Sequence, residues 1–234
     1  MIYIKAPDFI NWPIVSNHVS EDTFYADVIN HYYDRLHYPD IMTMTHETTH
    51  MINSDIRNKN SGNVGFYVGN NNACIFPQPN FTKDKIAQFV PTALQGLSFN
   101  EYVVGMREWN DSPLYLYDEW RAYINGAKAA VEYVEKGLYK DGWTNAVSNP
   151  LEFSVYVCAT LLAIKQYAPN YLNNTPNYLR YTNYSLMNSY DVYMRGSVME
   201  QFKWNKQDAY LAALRTDSTI SNVLATYFNG VWLT

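Results

Sequence analysis

The first long apolar pattern in the chain lies between residues 20 and 58, and its period is helical. From Ser20 onward, Phe24, Val28, Tyr32 and Leu36 recur about one turn apart, predicting a helix that ends at Tyr38 and Pro39. His31 falls on its polar side. His37 falls in its last turn, where positive charge suits the helix dipole. Asp40 then stands as an N-cap for a second helix, in which Ile41, Met44, Met51, Ile52 and Ile56 keep helical spacing until the pattern fades near Asn58.

The period changes after residues 60–63. Residues 64–68 and 73–76 read as two strands joined through Gly69 and three asparagines, a β-hairpin stopped by Pro77 and Pro79. Residues 1–5 alternate well enough for a short strand, and residues 6–19 read as irregular. Beyond Thr82 the pattern is almost wholly helical. Helices are expected from Thr82 to Val90, briefly to Gly96, and from Ser98 to Asn110, with Glu101 completing a capping box. A long helix should open at Ser112 and Pro113 and reach Lys136. Another should open at Asn149 and Pro150, with Glu152 completing its cap, and run through the apolar stretch 155–164. Residues 169–184 are rich in Asn, Pro and Tyr and read as a surface loop. Helices over 186–202, 206–215 and 220–228 complete the chain. The expected class is α+β, predominantly helical, in one domain over 1–234. Two sub-lobes are foreseen: 1–80 with the small sheet, and helical 81–234, with a cleft between them.

Composition narrows the class of function. A hydrophobic share of 47% suits a globular chain, and a net charge of -5 without a basic cluster argues against nucleic acid as partner. No run of eighteen apolar residues exists, so no membrane span is expected. The first residues do not read as a signal peptide. The compartment stays open, with a lean to a secreted or extracytoplasmic one, and the oligomeric state is unknown. Cys74 and Cys158 belong to no C-x-x-C pattern and read as small buried residues rather than as a pair. The 22 tyrosines suit a wide cleft that binds an extended polymer.

The candidate chemistry lies in the second helix. Residues 45–50 contain His46, Glu47 and His50 in the pattern H-E-x-x-H. Imidazoles four residues apart share one helical face and can close on one zinc ion at roughly 2.0–2.1 Å. The adjacent Glu47 can take a proton from a zinc-activated water. A catalytic zinc needs a third protein ligand, and all five histidines lie at or before residue 50. Asn53 and Ile56 occupy the places of the glycine and third histidine in the extended pattern, so a downstream carboxylate is expected. Glu101 and Glu152 are accounted for as caps, and Glu132 and Glu135 by a charged face with Lys128 and Lys136. Glu119 differs. It sits in an apolar helical stripe beside Ala122, Gly126 and Ala130, whose small size lets two helices approach. Glu200, Glu108 and the aspartates are the alternatives, and a salt bridge from Glu119 to Arg107 or Arg195 is the competing account.

These residues resemble the gluzincin branch of the zincin metallopeptidases: H-E-T-T-H, then Glu119, Trp120, Arg121, Ala122 and Tyr123 some seventy residues later. The spacing is like that of the minigluzincins and the anthrax lethal factor-like peptidases. The likeness covers two short motifs. Thr48 and Thr49 stand where an apolar or glycine pair is more usual, and the order of strands around the motif helix differs. The resemblance implies a zincin-like fold and a Zn2+ ion held by His46, His50 and Glu119. It also implies a peptide or protein substrate, with Glu47 as general base. A tyrosine or arginine must then steady the oxyanion, with Tyr123 preferred over Tyr115 and Tyr117. A di-iron site would need a second E-x-x-H, and a deformylase a cysteine before the motif; neither exists here. The alternative function is an inactive zincin-like binding or structural protein.

Overall fold

The computed structural model describes residues 5–140 and 142–233. Of the strand expected over residues 1–5, residues 1–4 lie outside the described ones, and Lys5 is exposed and in no strand. Three strands, β1 (Ile10–Asn11), β2 (Val64–Gly69) and β3 (Asn72–Phe76), form one antiparallel sheet in the order β1-β3-β2. The hairpin turns on Asn70 and Asn71, both left-handed (φ 52° and 59°), as a two-residue turn between twisted strands requires. Strand β1 was not foreseen. It is two residues long and owes its pairing with Ala73 and Asn72 to the preformed hairpin edge, not to any pattern of its own.

The remainder is helical, at 58% of the chain, and the class is α+β, predominantly helical. Helix α1 (Phe24–Ile29) is far shorter than the pattern suggests. Asn30 ends it by turning its side chain to the backbone of Val19 (2.9 and 2.8 Å), which removes His31 and His37 from any helix. His31 is buried against Tyr67 (ring centroids 4.7 Å) rather than facing solvent, and His37 is exposed in the following loop. Helix α2 (Ile41–Lys59) starts as expected, with Asp40 accepting from the Thr43 amide at 2.7 Å.

Residues 83–109 replace the expected regular helices with short 3-10 turns and a π-helical turn over Phe99–Val104. Ser98 makes no cap there and Glu101 is exposed. Instead the buried Lys83 donates to the carbonyls of Tyr102, Val103 and Gly105 at 2.7, 3.0 and 2.7 Å. An ammonium has three donors, and all three are spent on carbonyls that the irregular turn leaves open.

Helix α3 (Tyr115–Glu135) is followed by α4 (Ser148–Tyr167), α5 (Tyr171–Asn174), α6 (Pro176–Gly196), α7 (Gln207–Thr216) and α8 (Ser218–Tyr227). Most of the expected surface loop at 169–184 is therefore helix. Pro176 sits at the first position of α6, and Tyr178, Tyr181, Thr182 and Ser185 form a buried face. Their hydroxyls meet partners on α3, so a stripe that reads as polar serves as core. Glu152 caps nothing; it is buried in α4 and accepts from Tyr156 and Tyr210, each at 2.7 Å. One apolar core runs from Met42 through β2, β3, α3 and α4 to Trp232. Both cysteines are free and buried. No described helix is long and apolar enough to cross a membrane.

Candidate metal centre

Helices α2 and α3 pack against each other where their residues are smallest. A Cβ built on Gly126 would lie 2.6 Å from Met42 Sδ and 3.2 Å from the Met42 carbonyl, so the glycine permits the approach. Asn125, buried beside it, donates to Thr49 Oγ1 (3.2 Å) and to the Tyr67 carbonyl (3.0 Å), tying α2, α3 and β2 at one point. Thr45 and Thr49 return their own hydroxyls to carbonyls four residues back (2.7 and 2.8 Å), which lets them face α3 without unmet polarity.

This contact brings His46, His50 and Glu119 together. The two histidine Nε2 atoms are 3.0 Å apart, and Glu119 Oε2 lies 3.5 Å from each. Among the described residues these three form a group whose ligand atoms all lie within 4.8 Å. Ligands at roughly 2.0–2.1 Å and tetrahedral angles around zinc stand about 3.3–3.4 Å apart, close to the observed triangle. Glu119 Oε2 is buried without a hydrogen-bond partner and faces the two imidazole nitrogens. An orphaned carboxylate oxygen against two convergent imidazoles suits a cation. The residues fit a divalent metal.

The competing accounts of Glu119 fail on geometry. Arg195 pairs with Glu135 at 2.7 Å, and Arg107 is exposed and makes no ion pair with Glu119. Glu108 and Glu200 are exposed outside the cluster. Of the other expected roles, Lys136 pairs with Glu132 at 3.0 Å, whereas Lys128 lies over the Phe24 ring at 5.0 Å.

Two of the three candidate ligands are held from behind by hydrogen bonds, whereas the Nδ1 of His46 is buried without a partner. Asp118 Oδ2 lies 2.8 Å from His50 Nδ1, which sets the tautomer that turns Nε2 into the cluster. Asn53 donates to Asp118 Oδ1 (2.5 Å) and accepts from the Tyr67 amide (2.7 Å), linking the site to the sheet. Tyr115 donates to Glu119 Oε1 at 2.6 Å, one turn back on the same helix. Burial opposes charge on His50, but Asp118 and Glu119 outweigh it and push its pKa well up. Burial likewise raises the Glu119 carboxyl, and the two imidazoles 3.5 Å from it more than reverse it, holding it well below the usual range.

Tyr123 stands beside the cluster, its ring 4.4 Å from that of His46 and its hydroxyl 3.0 Å from Tyr102, on the turn that Lys83 clamps. Tyr117 points away, to Tyr178 and Thr182. Glu47 lines a cleft of ≈ 380 Å³ together with His50, Asp118 and Glu119. The edge strand β2 contributes Val64, Gly65 and Phe66 to the same cleft.

Sequence reasoning missed Asp118, Asn53 and the ligand-positioning part of Tyr115. One signal was available for Asp118: a ligating imidazole needs an acceptor at its second nitrogen, and Asp118 adjoins Glu119 on the same helix.

Compared with protein-family models, with curated proteins and with solved structures, the chain gives no match.

Proposed function

We propose that the chain is a zincin-like, zinc-dependent peptidase of the gluzincin type. The observation that carries the reading is the convergence of His46 Nε2, His50 Nε2 and the orphaned Glu119 Oε2, with Glu47 on the wall of the adjoining cleft. A divalent ion held by these three residues would supply a Lewis acid that polarises a peptide carbonyl and makes water acidic near neutral pH. Glu47 is half-buried and makes no ion pair among the described residues, so its carboxylate is available to take the proton of the attacking water. The same carboxylate hands that proton to the departing amine. Tyr123 and Tyr102 share a single hydrogen bond between two hydroxyls, which leaves one O–H to donate to the developing oxyanion. The cleft beside edge strand β2 gives an extended peptide room to lie along the sheet.

The test combines metal content with turnover. Elemental mass spectrometry of the purified protein should find about one zinc per chain, lost in His46→Ala and in Glu119→Ala. Glu47→Gln should keep the zinc and lower peptide hydrolysis by about 10²–10⁴-fold. Zinc retained in Glu119→Ala removes the third ligand from the proposal. Hydrolysis undiminished in Glu47→Gln removes the base. A zinc-loaded wild-type protein that cleaves no peptide leaves the binding-protein alternative.

A further inference from the structure

The cleft that begins at Glu47 and His50 ends at a cation. Arg57 lies on the same face of α2 as His50 and Ser54, two turns or about 10 Å along the helix from His50. Its guanidinium is 5.1 Å from the centre of the Trp109 ring, and Trp109 stacks flat on Tyr115 at 5.2 Å and 5°. Tyr115 in turn holds Glu119. One wall of the cleft is therefore a ladder from Glu119 through Tyr115 and Trp109 to Arg57. The apolar part of the lining is supplied by Met51, Val64, Phe66 and Leu114.

Arg57 makes one side-chain hydrogen bond, to Ser54 Oγ at 3.3 Å, and no ion pair with any described carboxylate. A guanidinium has five donors in a planar fork that matches a carboxylate. Here it is half-buried and held over an indole, with its remaining donors unspent on the protein. Of the three acids that share the cleft, Asp118 is engaged with His50 and Asn53, Glu119 with Tyr115 and the histidines, and Glu47 lies ten residues before Arg57 on α2.

Resting on the peptidase reading, we infer that Arg57 receives a carboxylate of the peptide substrate, with Trp109 and the apolar wall packing the stem that carries it. The substrate then presents a carboxylate within a few residues of the bond that is cut. The carboxylate comes from an Asp or Glu side chain or from the peptide's own C-terminus.

Binding and cleavage test this separately. Calorimetric titration of the Glu47→Gln variant in zinc-containing buffer compares peptides that differ only by Glu against Gln, all amidated at the C-terminus. A second pair differs only by a free against an amidated C-terminus. One carboxylate form should bind at least ten-fold tighter, and the pair that shows it identifies the source. Adding Arg57→Gln should erase the difference while zinc content stays unchanged, and Arg57→Glu should transfer the preference to Lys peptides. Equal affinities within both pairs, no peptide binding at all, or a preference that survives both Arg57 substitutions overturns the inference. A peptide library given to the wild-type enzyme separates the two readings. Cleavage indifferent both to acidic residues and to a free C-terminus sinks the Arg57 pocket and keeps the peptidase. An Arg57-dependent preference in binding without any cleavage does the reverse.

Discussion

Asp118 shows what a single residue contributes once the ligands are in place. A histidine bound to metal through Nε2 must carry its proton on Nδ1, and the Asp118 carboxylate at 2.8 Å fixes both that tautomer and the ring's orientation. Asn53 keeps the carboxylate itself from rotating. Asp118→Asn should therefore lower zinc affinity by about 10–100-fold, read by competition with a chelating dye, while helical content is unchanged. Unaltered affinity would mean that the ring is held by packing alone. At this scale the candidate site was largely legible beforehand. His46 and His50 declared themselves by spacing, and Glu119 by being an acid in an apolar stripe once no later histidine remained. Asp118 and Asn53 did not, because their roles exist only across the α2–α3 contact.

Between elements, that contact decides whether the site exists, since two of the candidate ligands ride on α2 and one on α3. Gly126 sets the spacing. A valine there drives two methyl groups into Met42, whose side chain can yield but whose carbonyl cannot. Gly126→Val should cost about 1–3 kcal/mol in denaturant unfolding and should weaken zinc binding, because Glu119 moves with its helix. Gly126→Ala places its Cβ 2.6 Å from Met42 Sδ and 3.2 Å from the Met42 carbonyl without the two further methyl groups, and should be milder on both measures. A valine variant that binds zinc normally would show that Glu119 reaches the cluster without close packing. The small-residue stripe forecast this approach from sequence. The helices that were misread share a different cause. Helix α6 buries tyrosine, threonine and serine whose hydroxyls find partners on α3, and the turn at 99–104 depends on Lys83 arriving from sixteen residues upstream. Local pattern reports neither.

Across the whole molecule, the sheet and the motif helix are joined to the helical half by one continuous core, with a smaller cluster of Val28, Ile52, Ile56, Tyr67 and Ala73 on the other side of α2. His31 is buried beside that smaller cluster, its Nε2 without a hydrogen-bond partner. Burial without a partner disfavours the imidazolium and lowers its pKa from 6.5 to about 4. The unfolded chain therefore binds this proton more readily than the folded one. The stabilising effect of a neutral His31 is complete above pH 6.5 and is lost as the pH falls towards 4. Between pH 7.5 and pH 5 the loss should be about 2 kcal/mol. Other groups titrate in the same window, so the measurement is a comparison: urea unfolding of the metal-free protein and of His31→Phe at both pH values. Phenylalanine keeps the ring against Tyr67 and removes the titration. The variant's curve should be flatter by about that amount, whereas parallel curves would place the acid sensitivity of the fold elsewhere. Helical periodicity put His31 on a solvent face. Asn30 ends the helix one residue earlier and turns it inward, so this acid sensitivity follows from a chain reversal that only the tertiary structure contains.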